Sequence, residues 1–429
     1  MSLWIYRILF IPALLVLAPG VWLRMRRRGG HREDFAHRLG RLPMLPPKQP
    51  GRRRVWLQAV SVGEVLAVEP IVHALERVPD VEVFLSTTTS TGLAVARQHY
   101  AHRVTAMGYF PIDWFPFVRR AWRCVDPDLV LLTEGERWPE FIARAERNGV
   151  PLVVVNARIS DRSFSRMMRF RSAVKRLLRG VTQLLAVSDE DAARFRSLGF
   201  SREQVTVTGN LKLDVTIPDL PDADRRRLRE ELGLGQEDLV LLGSSTWPGE
   251  EIALVNAWRR ARDSGIACRL LIVPRHAERR DEIEAELSQA GVRHHFRTRG
   301  PAPGHVDVSV ADTTGELRSL TQLADLVFIG KSLPPHHEGQ TPVEAAALGR
   351  AMLFGTRMTN FRAIANDLVA AGGARRVDTP ESLAGAVCSL LPDAPTRARM
   401  GECARKWQQK NQGAIARVWE QIHVQLTHR

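Results

Sequence analysis

The sequence predicts an α/β protein made of two doubly wound domains in tandem, and three observations predict it. Short, continuously apolar runs alternate with helical stretches, as strands buried on both faces of a parallel sheet require. That alternation is interrupted at a Pro/Gly-bearing stretch, GNLKLDVTIPDLPD (209–222), and then resumes. A chain of 429 residues, 44% hydrophobic and 25% charged, is too long for one core and suits two.

The first element is an apolar segment, LWIYRILFIPALLVLAPGVWL (3–23), broken only by Arg7 and followed at once by RMRRR. Its uninterrupted run from Ile8 to Leu23 is 16 residues. A straight spanning helix takes roughly 20. The charge follows the run instead of preceding it, and no small-residue cleavage site is present. This predicts an uncleaved membrane anchor, spanning or interfacial, with the body of the protein on the cytoplasmic side. A buried first helix of a soluble domain is the alternative. Strands are expected at 55–60, 81–86, 103–107, 129–133, 152–156, 183–187 and 205–208. After the linker they recur at 239–244, 269–274, 306–310, 326–329 and 351–354. The domains expected are therefore an anchor (1–25), an N-terminal domain (26–210) and a C-terminal domain (211–429), with the final helix a candidate to pack back on the N-terminal domain.

The net charge of +14 is concentrated. Residues 24–54 hold eleven Lys/Arg against two acids, and residues 158–179 hold eight against one. This excludes a uniformly basic nucleic-acid coat and predicts two basic surfaces facing an anionic partner. The four cysteines form no C-x-x-C pair, so neither a disulfide framework nor a structural zinc site is expected. There is no Walker phosphate loop, no G-x-G-x-x-G turn, no H-E-x-x-H and no G-x-S-x-G. Two Rossmann-like domains with a cleft between them remain compatible with a nucleotide-sugar glycosyltransferase.

Ligands of such sheets bind beyond the carboxyl ends of the strands, so the loops there carry the candidates. The first strand ends in Ser61-Val62-Gly63-Glu64. Gly63 lets a substrate approach the backbone, and a helix amino end favours the negative charge that a general base at Glu64 needs. A first-turn acid is also favourable without any function. The fourth strand ends in Thr133-Glu134-Gly135-Glu136-Arg137-Trp138-Pro139, which suits sugar recognition or a helix-start ion pair. Arg158, Arg162, Arg166 and Arg169 share one face if that segment is helical throughout. Past the linker, Ser244, Ser245 and Thr246 suit a phosphate held without a Walker lysine. Arg275 and His276 end the next strand. Thr341, Pro342 and Glu344 read as a capping box, with Glu344 either that cap or a ribose ligand.

In this order the loops resemble the 3-deoxy-D-manno-octulosonic acid (Kdo) transferases. The motifs are Ser-Val-Gly-Glu (61–64), S-T-T-T-S-T-G (86–92), E-x-E-x-W-P (134–139), Asn-Ala-Arg (156–158), G-N-L-K-L-D (209–214), G-S-S-T-W-P-G-E-E (243–251), P-R-H (274–276) and T-G-E-L (314–317). The resemblance implies a type-B glycosyltransferase at the cytoplasmic face of the inner membrane, moving Kdo from CMP-Kdo to a lipid A precursor with no metal or other cofactor. Glu64 would be the base. Ser61, Gly63, Glu134, Glu136 and Arg158 would meet the acceptor. Lys212, Ser244, Ser245, Thr246, Arg275, His276, Gly339, Gln340, Thr341 and Glu344 would meet the CMP-sugar. The chain departs from the family at Gln58, where His is usual, and at Gly135, where Thr is usual. It also departs in GKSLPPHHEGQTPVEAA (330–346), where Gln340 and Thr341 replace His-Asn. The alternatives are a transferase using another activated sugar and a non-catalytic lipid-binding homologue. An aromatic and basic stretch, YFPIDWFPFVRRAWR (109–123), reads either as an interfacial segment facing an anionic membrane or as core.

Overall fold

The computed structural model describes residues 3–12, 20 and 34–427. Most of the expected anchor, and the basic residues from Arg24 to Arg32, lie outside the described residues. Residues 3–12 are helical. Among the described residues no helix is long and apolar enough to cross a membrane. The chain divides into two compact units, Met1–Asp214 with Gly413–Arg429, and Val215–Gln412.

The first unit is a seven-stranded parallel sheet in the order β3-β2-β1-β4-β5-β6-β7. Its strands are β1 (Arg53–Ala59), β2 (Val81–Thr87), β3 (Ala106–Tyr109), β4 (Leu129–Thr133), β5 (Leu152–Ala157), β6 (Gln183–Ala186) and β7 (Val205–Val207). Side chains alternate between the sheet's two faces. Val55, Leu57 and Ala59 enter one core cluster, and Trp56 enters the other. Trp56 packs against Phe84, Phe110, Trp122 and Phe141 at ring separations of 5.5, 6.1, 6.0 and 4.8 Å. The 109–123 stretch is thus partly core. Trp122 is buried, Trp114, Phe115 and Phe117 are half-buried, and Arg119, Arg120 and Arg123 are exposed.

Some of the expected basic surface is spent internally. Arg54 is 2% exposed and donates to Glu82 at 2.6 and 3.0 Å and to the carbonyls of Val125 and Pro46. Lys48 pairs with Asp126 and Asp128. The second basic stretch also differs from expectation. Its helix starts at Asp161, capped by Ser160, and breaks at Phe170, so Arg158 is not on the face that carries Arg162, Arg166 and Arg169.

The last helix, Ala414–Thr427, belongs to the first unit. Val418, Ile422 and Leu426 join the core cluster of Val55 and Leu57. Asp214 fixes the return by accepting from the amides of Gly413 (3.1 Å) and Ile415 (2.7 Å). The boundary therefore falls after Asp214, four residues beyond the expected one, and residues 413–429 are not part of the second unit.

The second unit is also a seven-stranded parallel sheet, ordered β10-β11-β9-β8-β12-β13-β14. Its strands are β8 (Leu239–Thr246), β9 (Cys268–Pro274), β10 (His294–Phe296), β11 (Val308–Val310), β12 (Leu326–Ile329), β13 (Ala351–Gly355) and β14 (Ala374–Val377). The two strands with no counterpart in the sequence reading, β10 and β14, are its two edges. Edge strands are not covered like central ones, and β14 carries exposed Arg375 and Arg376 between buried ends.

Candidate active site

In each unit the strand order reverses beside the first strand, between β1 and β4 and between β8 and β12. Such a switch point opens a crevice at the carboxyl ends. Among the described residues, five of the eight non-glycine residues with positive φ sit at or just past the carboxyl ends of strands. They are Glu134 (52°), Asn156 (53°), Ser245 (56°), Lys331 (57°) and Met358 (42°). Side chains rarely adopt this conformation, and it gathers where a backbone is bent to present something.

In the first unit, Ser61 ends the extended chain and the helix Val62–Ala67 begins, with Glu64 in its first turn. Three donors converge on the Glu64 carboxylate. The Val60 amide (3.0 Å) and the Thr133 hydroxyl (2.5 Å) donate to Oε2, and the Ser61 hydroxyl (3.2 Å) donates to Oε1. The Thr133 bond crosses from β4 to the loop after β1, so it spans the switch point. Val60 is held in turn, because its carbonyl accepts from the Thr89 hydroxyl at 3.1 Å. A Cβ on Gly63 would meet nothing within 4 Å, so the space beside Glu64 is open. Gln58 is buried below, accepting from Ser86 and donating to Thr88.

Beside it, Glu134 is buried and bridged by two cations, Arg158 Nη2 at 2.5 Å and Lys212 Nζ at 2.6 Å. Burial alone would raise its pKa, but Lys212 and then Arg158 outweigh burial and hold it below the usual range. Glu136 moves the other way. Burial chiefly, then the charges of Glu64 and Glu134, push it up to about 7, against the hydrogen bond from Trp138 and the charge of Arg137. The site thus holds carboxylates with sharply different proton affinities, a pattern that divides charged from neutral roles.

The sequence reading set Lys212 among the donor residues. It lies in the first unit, on the turn Leu211–Leu213, and meets Glu134. That turn is pinned because Asn156 Oδ1 accepts from Leu211 N at 3.0 Å and Asn210 Oδ1 accepts from Lys212 N at 3.0 Å. Thr133 was not singled out from the sequence, since only the sheet order brings it to Glu64.

The second unit gathers its loops around two buried glutamates. Glu250, 1% exposed, accepts from the amides of Trp247, Lys331, Ser332 and Leu333 at 2.9, 2.7, 2.8 and 3.1 Å. It clamps the loop after β12 onto the loop after β8. Glu251, fully buried, pairs with Arg279 at 2.7 Å and accepts the Thr246 hydroxyl at 2.9 Å. Thr246 therefore ends β8 with its hydroxyl donating to Glu251, and Ser244 and Ser245 are buried on the same strand. Gly330 packs so tightly that a Cβ would lie 2.3 Å from the Ser245 carbonyl oxygen.

Trp247 is half-buried, with Lys331 Nζ 4.1 Å from its ring centre and the rings of His276 and His336 at 5.1 and 5.7 Å. Arg275 stands exposed at the end of β9. Gly339 (φ 73°) and Gln340 fold back through their amides to the carbonyls of Lys331 and Gly330. The expected capping box is not formed. Pro342 occupies the cap of the helix Val343–Ala347, the Thr341 hydroxyl accepts weakly from Val343 at 3.3 Å, and Glu344 meets Arg318 at 3.4 Å.

Two doubly wound units of this kind constitute the type-B glycosyltransferase fold. A glycosyltransferase from Rickettsia africae ESF-5 shares it at 12% identity, covering 88% of this chain and 100% of that one with a TM-score of 0.57. So does a UDP-GlcNAc 2-epimerase from Neisseria meningitidis bound to UDP-GlcNAc, at 14% identity, the same coverage and a TM-score of 0.57. These likenesses are of fold alone. Sequence narrows it. Residues 33–215 match the family described as 3-deoxy-D-manno-octulosonic-acid transferase (kdotransferase). The 3-deoxy-D-manno-octulosonic acid transferase of Bordetella pertussis is 35% identical over 96% of this chain and 97% of its own. The chain belongs to the Kdo transferase family and is a glycosyltransferase.

Proposed function

We propose that this protein transfers Kdo from CMP-Kdo to a lipid A precursor in lipopolysaccharide biosynthesis, with inversion and with Glu64 as the base. The observation that carries the reading is the full-length relation to the Bordetella pertussis transferase, with the Ser61–Glu64 motif retained. Glu64 removes the proton from an acceptor sugar hydroxyl. That oxygen bonds to the anomeric carbon of Kdo while the bond from that carbon to the CMP phosphate breaks. Thr133, Ser61 and the Val60 amide fix the carboxylate for this step. Glu134, Glu136, Arg158 and Lys212 surround the acceptor sugar.

CMP is held by Arg275, His276, Ser244, Ser245 and the Gly339–Thr341 backbone, with Glu344 toward the ribose, and the departing phosphate is neutralised by Arg275. The transfer needs no metal. We also assign the enzyme to the cytoplasmic face of the inner membrane. The exposed apolar face of helix 3–12 (Trp4, Ile5, Ile8, Leu9 and Ile11) and the basic residues Arg119, Arg120 and Arg123 support that seat. Purified enzyme incubated with CMP-Kdo, lipid A precursor and excess EDTA should give acceptor heavier by whole Kdo units in the mass spectrum. No product, or product only from another activated sugar, overturns the reading.

A further inference from the structure

The expected anchor begins with a helix that the sequence treats as a tether, yet its two polar residues are built into the acceptor unit. Arg7 makes a bidentate pair with Glu140, Nε to Oε2 at 2.9 Å and Nη2 to Oε1 at 2.7 Å. Its guanidinium also lies over the rings of Trp4 (4.9 Å) and Phe115 (4.5 Å). Tyr6 donates its hydroxyl to Asp113 Oδ2 at 2.7 Å. Glu140 and Asp113 are each 1% exposed. A carboxylate that deep needs its partners, because removing one leaves an uncompensated charge or polar group.

The position of these carboxylates gives the contact a purpose. The helix Pro139–Asn148 follows the loop that bears Glu134 and Glu136, and its cap residue, Trp138, supplies no side-chain acceptor. Asp113 supplies it from another part of the chain, accepting from the amides of Glu140 (3.0 Å) and Phe141 (2.8 Å). Trp138 itself donates its ring N–H to Glu136. A connected path therefore runs from Tyr6 and Arg7, through Asp113 and Glu140, to the amino end of this helix and the loop that carries the acceptor-side carboxylates. The other side of helix 3–12 is apolar and exposed, with Trp4 67% and Ile8 66% accessible.

We infer that Tyr6 and Arg7 are positioning residues for the acceptor site, and that helix 3–12 is a working part of the acceptor unit as well as a membrane contact. The inference rests on the proposed transfer for its kinetic readout. Its structural readout does not depend on that reading.

The test uses the full chain in detergent micelles with detergent-dispersed acceptor, which removes membrane binding as a variable. Arg7→Leu should lower kcat/KM for the lipid acceptor by about tenfold, the scale at which misplaced positioning groups act. KM for CMP-Kdo should stay within about twofold, since the donor residues lie in the other unit. Backbone amides of the 134–141 segment should exchange faster with deuterium. Arg7→Leu/Glu140→Leu, which removes both members of the ion pair, should recover most of both losses. Tyr6→Phe removes one hydroxyl only and should shift the same two readouts in the same direction; it decides the matter if Arg7→Leu does not fold. Wild-type exchange rates at 134–141 in Tyr6→Phe and Arg7→Leu would overturn the inference, whether or not the enzyme proves to transfer Kdo. So would acceptor and donor KM rising together.

Discussion

At the scale of single residues, Glu136 and Glu134 show what placement does to identical side chains. Two residues apart, one is held ionised by Lys212 and Arg158 and the other is pushed to about 7 by burial and by its anionic neighbours. An acid whose pKa is raised on folding adds no penalty at pH values low enough to protonate it in both states. As pH rises from the ordinary carboxylate range to about 7, the unfolded chain ionises while the folded protein keeps its proton, so stability falls, and above about 7 the whole penalty is carried. Glu136→Gln should therefore gain in Tm relative to wild type between pH 5 and pH 8, as read by thermal unfolding at both. A difference that stays constant with pH would show that Glu136 is not buried in this way. The sequence displayed both glutamates in one contiguous motif and Arg158 in another, after the next strand. It could not display Arg158 and Lys212 as partners of Glu134, or Thr133 as the partner of Glu64, since those contacts are made by the fold. Nor did it mark Asp113. Arg7 did stand out, as the one charge in an apolar run.

At the scale of elements, the central strands were legible and three of the four edges were not, the exception being β7, expected at 205–208 and found at Val205–Val207. LVLLT and LVVVN are continuous apolar runs because β4 and β5 are covered on both faces. The strand expected at 103–107 lies instead at Ala106–Tyr109, on the edge of its sheet. HHF and ARRV, edges of the second sheet, have no such pattern to read. The final helix is the clearest element whose place decides stability. Val418 and Ile422 are fully buried and Leu426 is 4% exposed, all in the first unit's core. At about 1.5–3 kcal/mol for each buried side chain, ending the chain at Gln412 removes roughly 5 kcal/mol or more from that unit. Calorimetry should show the first unit's transition lowered or lost and the second unit's unchanged. Equal destabilisation of both, or of neither, would contradict the division at Asp214 and Gly413.

At the scale of the whole molecule, the proposed membrane seat combines the excess of positive charge with the apolar amino-terminal face. The sequence predicts a membrane association from hydropathy and charge, without saying which basic residues are free to take part. Arg54 and Lys48, counted in its basic stretch, are tied into internal ion pairs, while Arg119, Arg120 and Arg123 remain exposed. Basic residues near an anionic surface contribute about 1 kcal/mol each and are screened by salt. Trp4→Ser/Ile8→Ser leaves Tyr6 and Arg7 in place and should weaken binding to anionic vesicles in sedimentation assays, with the remainder lost at high salt. Unchanged binding would remove helix 3–12 from the membrane contact.

In the proposed transfer, Glu64, held by Val60, Ser61 and Thr133 at the switch point of the first sheet, takes the proton from the acceptor hydroxyl. The most direct test is the single-turnover rate of Glu64→Gln with CMP-Kdo bound and lipid A precursor added. The variant keeps the side chain's size and should still bind CMP-Kdo with wild-type affinity, while the rate of Kdo transfer falls by about 10²–10⁴-fold. A rate within twofold of wild type would show that the proton goes elsewhere and would contradict the account.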